Sequence, residues 1–279
     1  MDIQLGAPPP TPAATVVVVR DGAQGIEVLM LCRQQALEVH GGVYVFPGGK
    51  VESGDRLGGG VVGRETADEL CQALGEPGLA PADAVALHVA AVRETYEEAG
   101  ILLGGSSCAD VCTWIARGES FAQIVRRCAG GLQLSNLAPW SRWITPAGSF
   151  TSSRRFDTRF FVCAAPDGQM ARHDLSESSE SLWVAPREAL GRYGSGEIKL
   201  MPPQILTLNH LSTFPDVGSL MAAARARRPY VVRPMPVEEG GRKLVVYPGD
   251  ELHAEREPVM PGPTRLVFRD GRYELAPAG

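Results

Sequence analysis

Arg93-Glu94-Thr95-Tyr96-Glu97-Glu98-Ala99-Gly100-Ile101 is the segment that most restricts how this chain folds and what it does. On a helix, Glu94, Glu97 and Glu98 stand at i, i+3 and i+4, so three carboxylates share one face. Clustered carboxylates repel, and such a face needs a cation beside it. Carboxylate oxygens suit Mg²⁺ or Mn²⁺, although a short acidic run is also the ordinary dress of a solvated helix face. The spacing predicts a helix from an N-cap at Asp83 to Ala99, ended by Gly100, with Val85, Val89, Val92 and Tyr96 as its core stripe.

The rest of the chain supplies a core for that helix. At 279 residues and 44% apolar content, it can bury a sizeable interior without disulfide or metal staples. Residues 1–12 read as a flexible Pro-rich arm. Ala13–Arg20 reads as a buried strand, and Ile26–Arg33 pairs with it as a hairpin. Val43–Phe46 is a short strand entering Pro47-Gly48-Gly49. A helix is expected from about Val62 to Leu74, and others at Ser107–Arg117, Ser120–Cys128, Pro186–Leu190, after Met201 and over Ser219–Arg227. Strands are expected at Trp140–Ile144, Arg155–Cys163, Leu182–Val184, Arg242–Tyr247, Arg265–Arg269 and Arg272–Leu275. This irregular mixture predicts the α+β class.

A net charge of −5 argues against a nucleic-acid partner. No apolar run reaches membrane-span length, and Met1-Asp2-Ile3-Gln4 lacks a basic leader, so neither a membrane nor a secreted setting is expected. Cys32, Cys71, Cys108, Cys112, Cys128 and Cys163 form no C-x-x-C pair and have no zinc-site histidine. They read as reduced thiols of a cytoplasmic protein.

Upstream of the acidic helix lies Phe46-Pro47-Gly48-Gly49-Lys50-Val51-Glu52-Ser53-Gly54-Asp55. Here the chain resembles the Nudix hydrolase superfamily, whose signature is G-x5-E-x7-R-E-U-x-E-E-x-G-U, with U a bulky aliphatic residue. Asp55 stands for the first Glu, and Thr95 takes an aliphatic position. Residues 56–92 replace a seven-residue gap, an excess of 30. Such an insertion must loop out and return, which costs little closure entropy. A rival register, Arg64-Glu65-Thr66-Ala67-Asp68-Glu69, lacks the closing glycine and reads as the polar face of an insertion helix.

A second resemblance adjoins it. Leu29–Gly49 (LMLCRQQALEVHGGVYVFPGG) is similar to the element L-L-x-x-R-x6-H-x-G-x3-F-P-G-G of Nudix enzymes that cleave coenzyme A. Three more segments resemble the peroxisomal-type branch of these diphosphatases, which also carries an insertion in its box. They are Arg154–Phe161, Glu197–Gln204 and Pro248–Leu252.

The resemblance implies a Nudix fold, an α/β/α sandwich around a mixed sheet. It implies a Nudix domain over 13–228, with an insertion at 56–85, and a β-rich extension over 229–279 packed on the same domain. Mg²⁺ or Mn²⁺ would be held by Glu97 and Glu98, with Glu94 as ligand or general base, a Gly49 carbonyl, and a downstream acid. Glu177, six residues before Trp183, suits that last role better than Glu180. Arg93 would orient the carboxylates, completing a catalytic set with Glu94, Glu97 and Glu98. Arg33, His40, Phe46, Gly48 and Arg155 would meet substrate, while the basic run Arg225, Arg227, Arg228 and Arg233 reads as a helix end favoured by its dipole, with contact to a 3′-phosphate as the alternative.

The implied reaction is cleavage of coenzyme A or an acyl derivative to 3′,5′-ADP and (acyl-)4′-phosphopantetheine. ADP-ribose, NADH, or a non-catalytic nucleotide-binding module are the alternatives. The partner is then a small nucleoside diphosphate, and a homodimer is an expectation by analogy alone.

Overall fold

The structure is a computed structural model that describes residues 9–34, 42–56, 63, 65–104, 113–114, 117–128, 131–148, 154–171 and 178–276. β1 (Thr11–Gly22) lies inside the main sheet. Its run of apolar side chains is unbroken because both of its faces are covered: Ala14, Val16 and Val18 point to one core, Val17 and Val19 to the other. β1 pairs antiparallel with β2 (Gly25–Arg33) and parallel with β6 (Phe156–Ala164). β3 (Tyr44–Val45) and β7 (Ser178–Val184) pair with β2. β5 (Ala138–Ile144) joins β6 to β8 (Tyr230–Val232).

One face of the sheet carries α1 (Ala67–Leu74), α2 (Pro81–Ala99) and α3 (Phe121–Arg127). The other carries α4 (Pro186–Gly194), α5 (Pro202–Leu211) and α6 (Val217–Arg225). A four-stranded antiparallel sheet, β9 (Met235–Glu239), β10 (Arg242–Val246), β11 (Arg265–Arg269) and β12 (Arg272–Leu275), adds Val245, Tyr247, Leu266 and Tyr273 to that second core. The architecture is the expected α+β sandwich.

Several boundaries differ from the sequence reading. Thr11 and Pro12 belong to β1 rather than to an arm, because they pair with Phe156 and Asp157. The helix expected from Val62 begins at Ala67, where Thr66 caps the Glu69 N–H at 3.2 Å and the Glu69 carboxylate returns to the Thr66 N–H at 2.7 Å. Asp83 is not an N-cap. α2 starts one turn earlier with Pro81 at its first position. Tyr230–Val232, read as extension, completes the main sheet. The helix expected at Ser107–Arg117 falls mostly outside the described residues.

The insertion is clamped to the sheet by one side chain. Glu76 accepts from Arg159 at 2.8 and 2.6 Å and pairs with Arg142 at 2.8 Å, while both arginines also hold Asp157. Thus the chain leaves the box, builds α1, and is returned to the sheet before α2 begins.

Two buried histidines make the fold sensitive to acid. Burial holds His88 at about 4 and lowers His210 as well. The unfolded chain takes up these protons near 6.5, so stability is full above that pH and drains as pH falls toward 4. The loss is about 2 kcal/mol at pH 5 for His88. Urea unfolding at pH 7.5 and pH 5 should show this slope, and His88→Phe should flatten it by about one proton.

Candidate active site

The site forms where β4 (Gly48–Lys50) meets the last two turns of α2. β4 runs antiparallel to β1, with Thr15, Ala14 and Ala13 opposite Gly48, Gly49 and Lys50. The Val16 N–H also donates to the Pro47 carbonyl at 2.9 Å. The Gly-rich segment is therefore a strand pinned to the middle of the sheet, not an open loop. α2 ends at Gly100, which takes the left-handed conformation (φ 65°) and donates to the Tyr96 carbonyl.

Arg93 stands at the centre. Its Nε and one terminal nitrogen grip the Asp55 carboxylate at 2.8 and 3.0 Å, and that same nitrogen donates to the Lys50 carbonyl at 3.0 Å. The other terminal nitrogen donates to Glu94 at 2.8 Å and Glu97 at 2.9 Å. Asp55, on the 3-10 turn Ser53–Asp55, is only 1% exposed and also accepts from the Glu52 N–H. The shorter residue is thus the principal partner of Arg93, and it joins the two halves of the box across the insertion. Burial opposes the Arg93 charge, but the bonds to Asp55 and the charge of Glu94 overcome it and hold the guanidinium above its usual range.

The carboxylates differ in setting. Glu98 is buried and accepts from the Gly48 N–H at 2.9 Å. Glu94 lies against Gly49, and burial raises its carboxyl above the ordinary range while the Arg93 charge opposes the rise. Glu97 is half exposed. Thr95 is fully buried, and its hydroxyl donates to the Ala91 carbonyl one turn back at 2.8 Å, which satisfies it in an apolar position.

Both glycines are required by close approach. A Cβ on Gly48 would lie 2.4 Å from the Ala14 carbonyl oxygen, and one on Gly49 would lie 2.4 Å from the Glu94 carboxylate. Gly48→Ala must push backbone apart and should lower Tm by several degrees. Gly49→Ala needs only a swing of the Glu94 side chain, so it should spare Tm and lower kcat at least tenfold. Thermal melts and initial rates on the two variants separate these effects.

The other predicted residues scatter. Phe46 is a core residue, 2% exposed, with its ring edge-on to Phe160; it anchors the chain before β4 instead of facing a ligand. The Gly48 N–H is taken by Glu98. Arg155 Nε holds the Thr145 carbonyl at the end of the β5–β6 pair. Arg33 ends β2, at the step where its register with β7 shifts. Glu180 opposes Cys32 and accepts from the Tyr44 hydroxyl at 2.9 Å, which turns it to the opposite face. His40 and Glu177 lie outside the described residues, as does Arg64. Of the rival register, Thr66 caps α1, Glu69 serves that cap, and the Glu65 carboxylate holds Ser135, so these acids do not share a helix face.

The donor set suits a hard divalent cation. It is all oxygen, a single guanidinium serves three carboxylates, and Glu98 adds a fourth. Among the described residues no three acidic, His or Cys side chains converge as a ready-made cage, because Arg93 and the Gly48 N–H hold the carboxylates. A cation would draw them from those partners. Among the described residues, no helix is long and apolar enough to cross a membrane.

Comparison with known proteins gives a consistent family. A family model described as the NUDT19 Nudix domain matches residues 71–211. The acyl-coenzyme A diphosphatase NUDT19 of Gallus gallus is 30% identical, over 87% of this chain and 76% of its own length. Its Homo sapiens counterpart is 28% identical, over 84% and 74%. A crystal structure of a Nudix hydrolase from Alicyclobacillus acidocaldarius covers 79% of this chain and 97% of its own, at 29% identity and a TM-score of 0.56.

Proposed function

This chain belongs to the Nudix hydrolase family, in the NUDT19 branch, and on that premise we propose that it cleaves the diphosphate of coenzyme A or an acyl-coenzyme A. The products would be 3′,5′-ADP and (acyl-)4′-phosphopantetheine. The observation that carries the reaction class is Arg93 gripping buried Asp55 while presenting Glu94 and Glu97 beside the Gly48–Gly49 strand. The substrate class rests on the relatives named acyl-coenzyme A diphosphatase.

In this reading, Glu94, Glu97 and Glu98 with the Gly49 carbonyl would hold Mg²⁺ or Mn²⁺, which would supply charge neutralisation for the diphosphate and acidify the attacking water. Glu177 is the downstream acid, a choice supported by Glu180 being held by Tyr44 on the other face. Arg93 fixes the carboxylates, and Asp55 fixes Arg93. Water attacks one phosphorus, the bridging P–O bond breaks, and a box carboxylate takes the proton of the water. Arg33 and His40 hold the substrate. In this reading the protein works in the cytoplasm, a setting in which thiols such as Cys32, Cys71 and Cys163 stay reduced.

The test is a substrate panel with product analysis. Coenzyme A and acyl-coenzyme A should be turned over with Mg²⁺ or Mn²⁺ and not with excess chelator, releasing 3′,5′-ADP. Preference for ADP-ribose or NADH would overturn the substrate, and no turnover of any diphosphate would favour a binding module.

A further inference from the structure

We propose that the cavity between α1, α2 and the end of α6 is a second small-molecule site. Its ligand is an anion, a phosphomonoester or carboxylate, that carries an N–H or O–H donor at its far end. The cavity holds about 710 Å³, and Glu65, His88, Ser135, Pro139, Arg225 and Arg227 are among its walls. That volume suits a small-molecule site. It lies beside the start of β5, where β8 pairs with Ser141–Trp143 and not with Ala138–Trp140. Arg93, Glu94, Glu97 and Glu98 take no part in it.

Three buried atoms on these walls have no hydrogen-bond partner among the described residues: His88 Nε2, Glu65 Oε2 and an Arg227 terminal nitrogen. Buried polar groups are nearly always paired, so three on one cavity call for a ligand. His88 is 1% exposed. Its Nδ1 lies 2.8 Å from the Ala84 carbonyl. A carbonyl only accepts, so Nδ1 carries the proton and Nε2 presents a lone pair. The other Glu65 oxygen is held by the Ser135 N–H and hydroxyl. The Arg227 guanidinium is stacked on Tyr230 at 3.5 Å and Trp140 at 4.2 Å, and its other terminal nitrogen donates to the Trp140 and Arg228 carbonyls.

The cavity thus offers two acceptors and a cation on walls that also carry Leu70, Leu137 and Ala224. An anion on Arg227, assisted by Arg225, and a donor on His88 and Glu65 satisfy all three atoms at once. The inference is independent of the proposed reaction, because it uses none of the box residues.

Two phosphomonoesters with N–H groups, 5′-AMP and 4′-phosphopantetheine, are suitable probes. Each is titrated calorimetrically into the metal-free protein, with inorganic phosphate alone as control. ¹⁵N-histidine NMR follows His88 in parallel. At least one probe should bind one-to-one, at least tenfold tighter than phosphate, and move the His88 Nε2 resonance. Ala73→Trp on the exposed rim and His88→Phe within should each weaken that binding at least tenfold. The tryptophan variant should keep the wild-type Tm and turnover. Binding that ignores Ala73→Trp, binding no better than phosphate, or no binding of either probe would each overturn the proposal.

Discussion

Replacing Glu97 with Gln should reduce kcat on acyl-coenzyme A by about 10³-fold while leaving the fold intact. Losing one ligand of a catalytic cation removes several kcal/mol of charge stabilisation, and each 1.36 kcal/mol is tenfold in rate. Stability is a separate matter. The Glu97 side chain is 48% exposed and its ion pair with Arg93 is an i, i+4 contact at a helix surface, worth about 0.3–0.5 kcal/mol. Tm should therefore move by no more than about 2 °C. Asp68→Ala, on the insertion helix, should retain wild-type turnover. A dead Asp68 variant beside an active Glu97 variant would move the site to α1. Rates at saturating Mg²⁺ together with thermal melts read both quantities.

The second large effect belongs to Asp55. Removing its carboxylate leaves Arg93, 12% exposed, with its principal partner gone from a buried site. Breaking such a pair costs about 3–5 kcal/mol. For a domain of this size that is a fall in Tm of roughly 10 °C. Asp55→Ala should also lower kcat, because the freed guanidinium no longer sets Glu94 and Glu97. Asp55→Glu restores the usual family letter, yet it adds a methylene to a site that is 1% exposed. It should cost about 1–3 kcal/mol through overpacking while keeping the ion pair. A Tm for Asp55→Ala within 2 °C of wild type would show that the pair does not hold the box together.

Much of this was legible before any coordinates. Glu94, Glu97 and Glu98 share a face because 3.6 residues make a turn, and Gly100 ends the helix because it alone accepts a positive φ without strain. β1 reads as a central strand because its apolar run has no polar alternation. The Nudix signature, split by 30 residues, was still recognisable on both sides of the insertion.

Other features depended on what the chain meets when it folds back. Asp55 stood in the sequence as a shorter substitute for the first Glu of the box, and only the return of α2 brings Arg93, 38 residues later, onto it. Phe46 sits in a motif near substrate but points into the core, because strand alternation after Tyr44 and Val45 is set by pairing with β2 and β4 follows on β1. Spacing before Trp183 already favoured Glu177 over Glu180, and the register of β7 on β2 turns Glu180 toward Tyr44. Glu76 carried no signal at all, although it ties the insertion to the sheet.

The sequence by itself determined the local objects: the acidic helix face, the buried strand, the glycine stops and the family. Tertiary structure decided which charges are paired, Asp55 with Arg93 in the box and Glu76 with Arg142 and Arg159 at the insertion. Local spacing obeys the geometry of one element. The partner of a buried charge is chosen by register and packing among elements far apart in the chain, where leaving it unpaired would cost several kcal/mol.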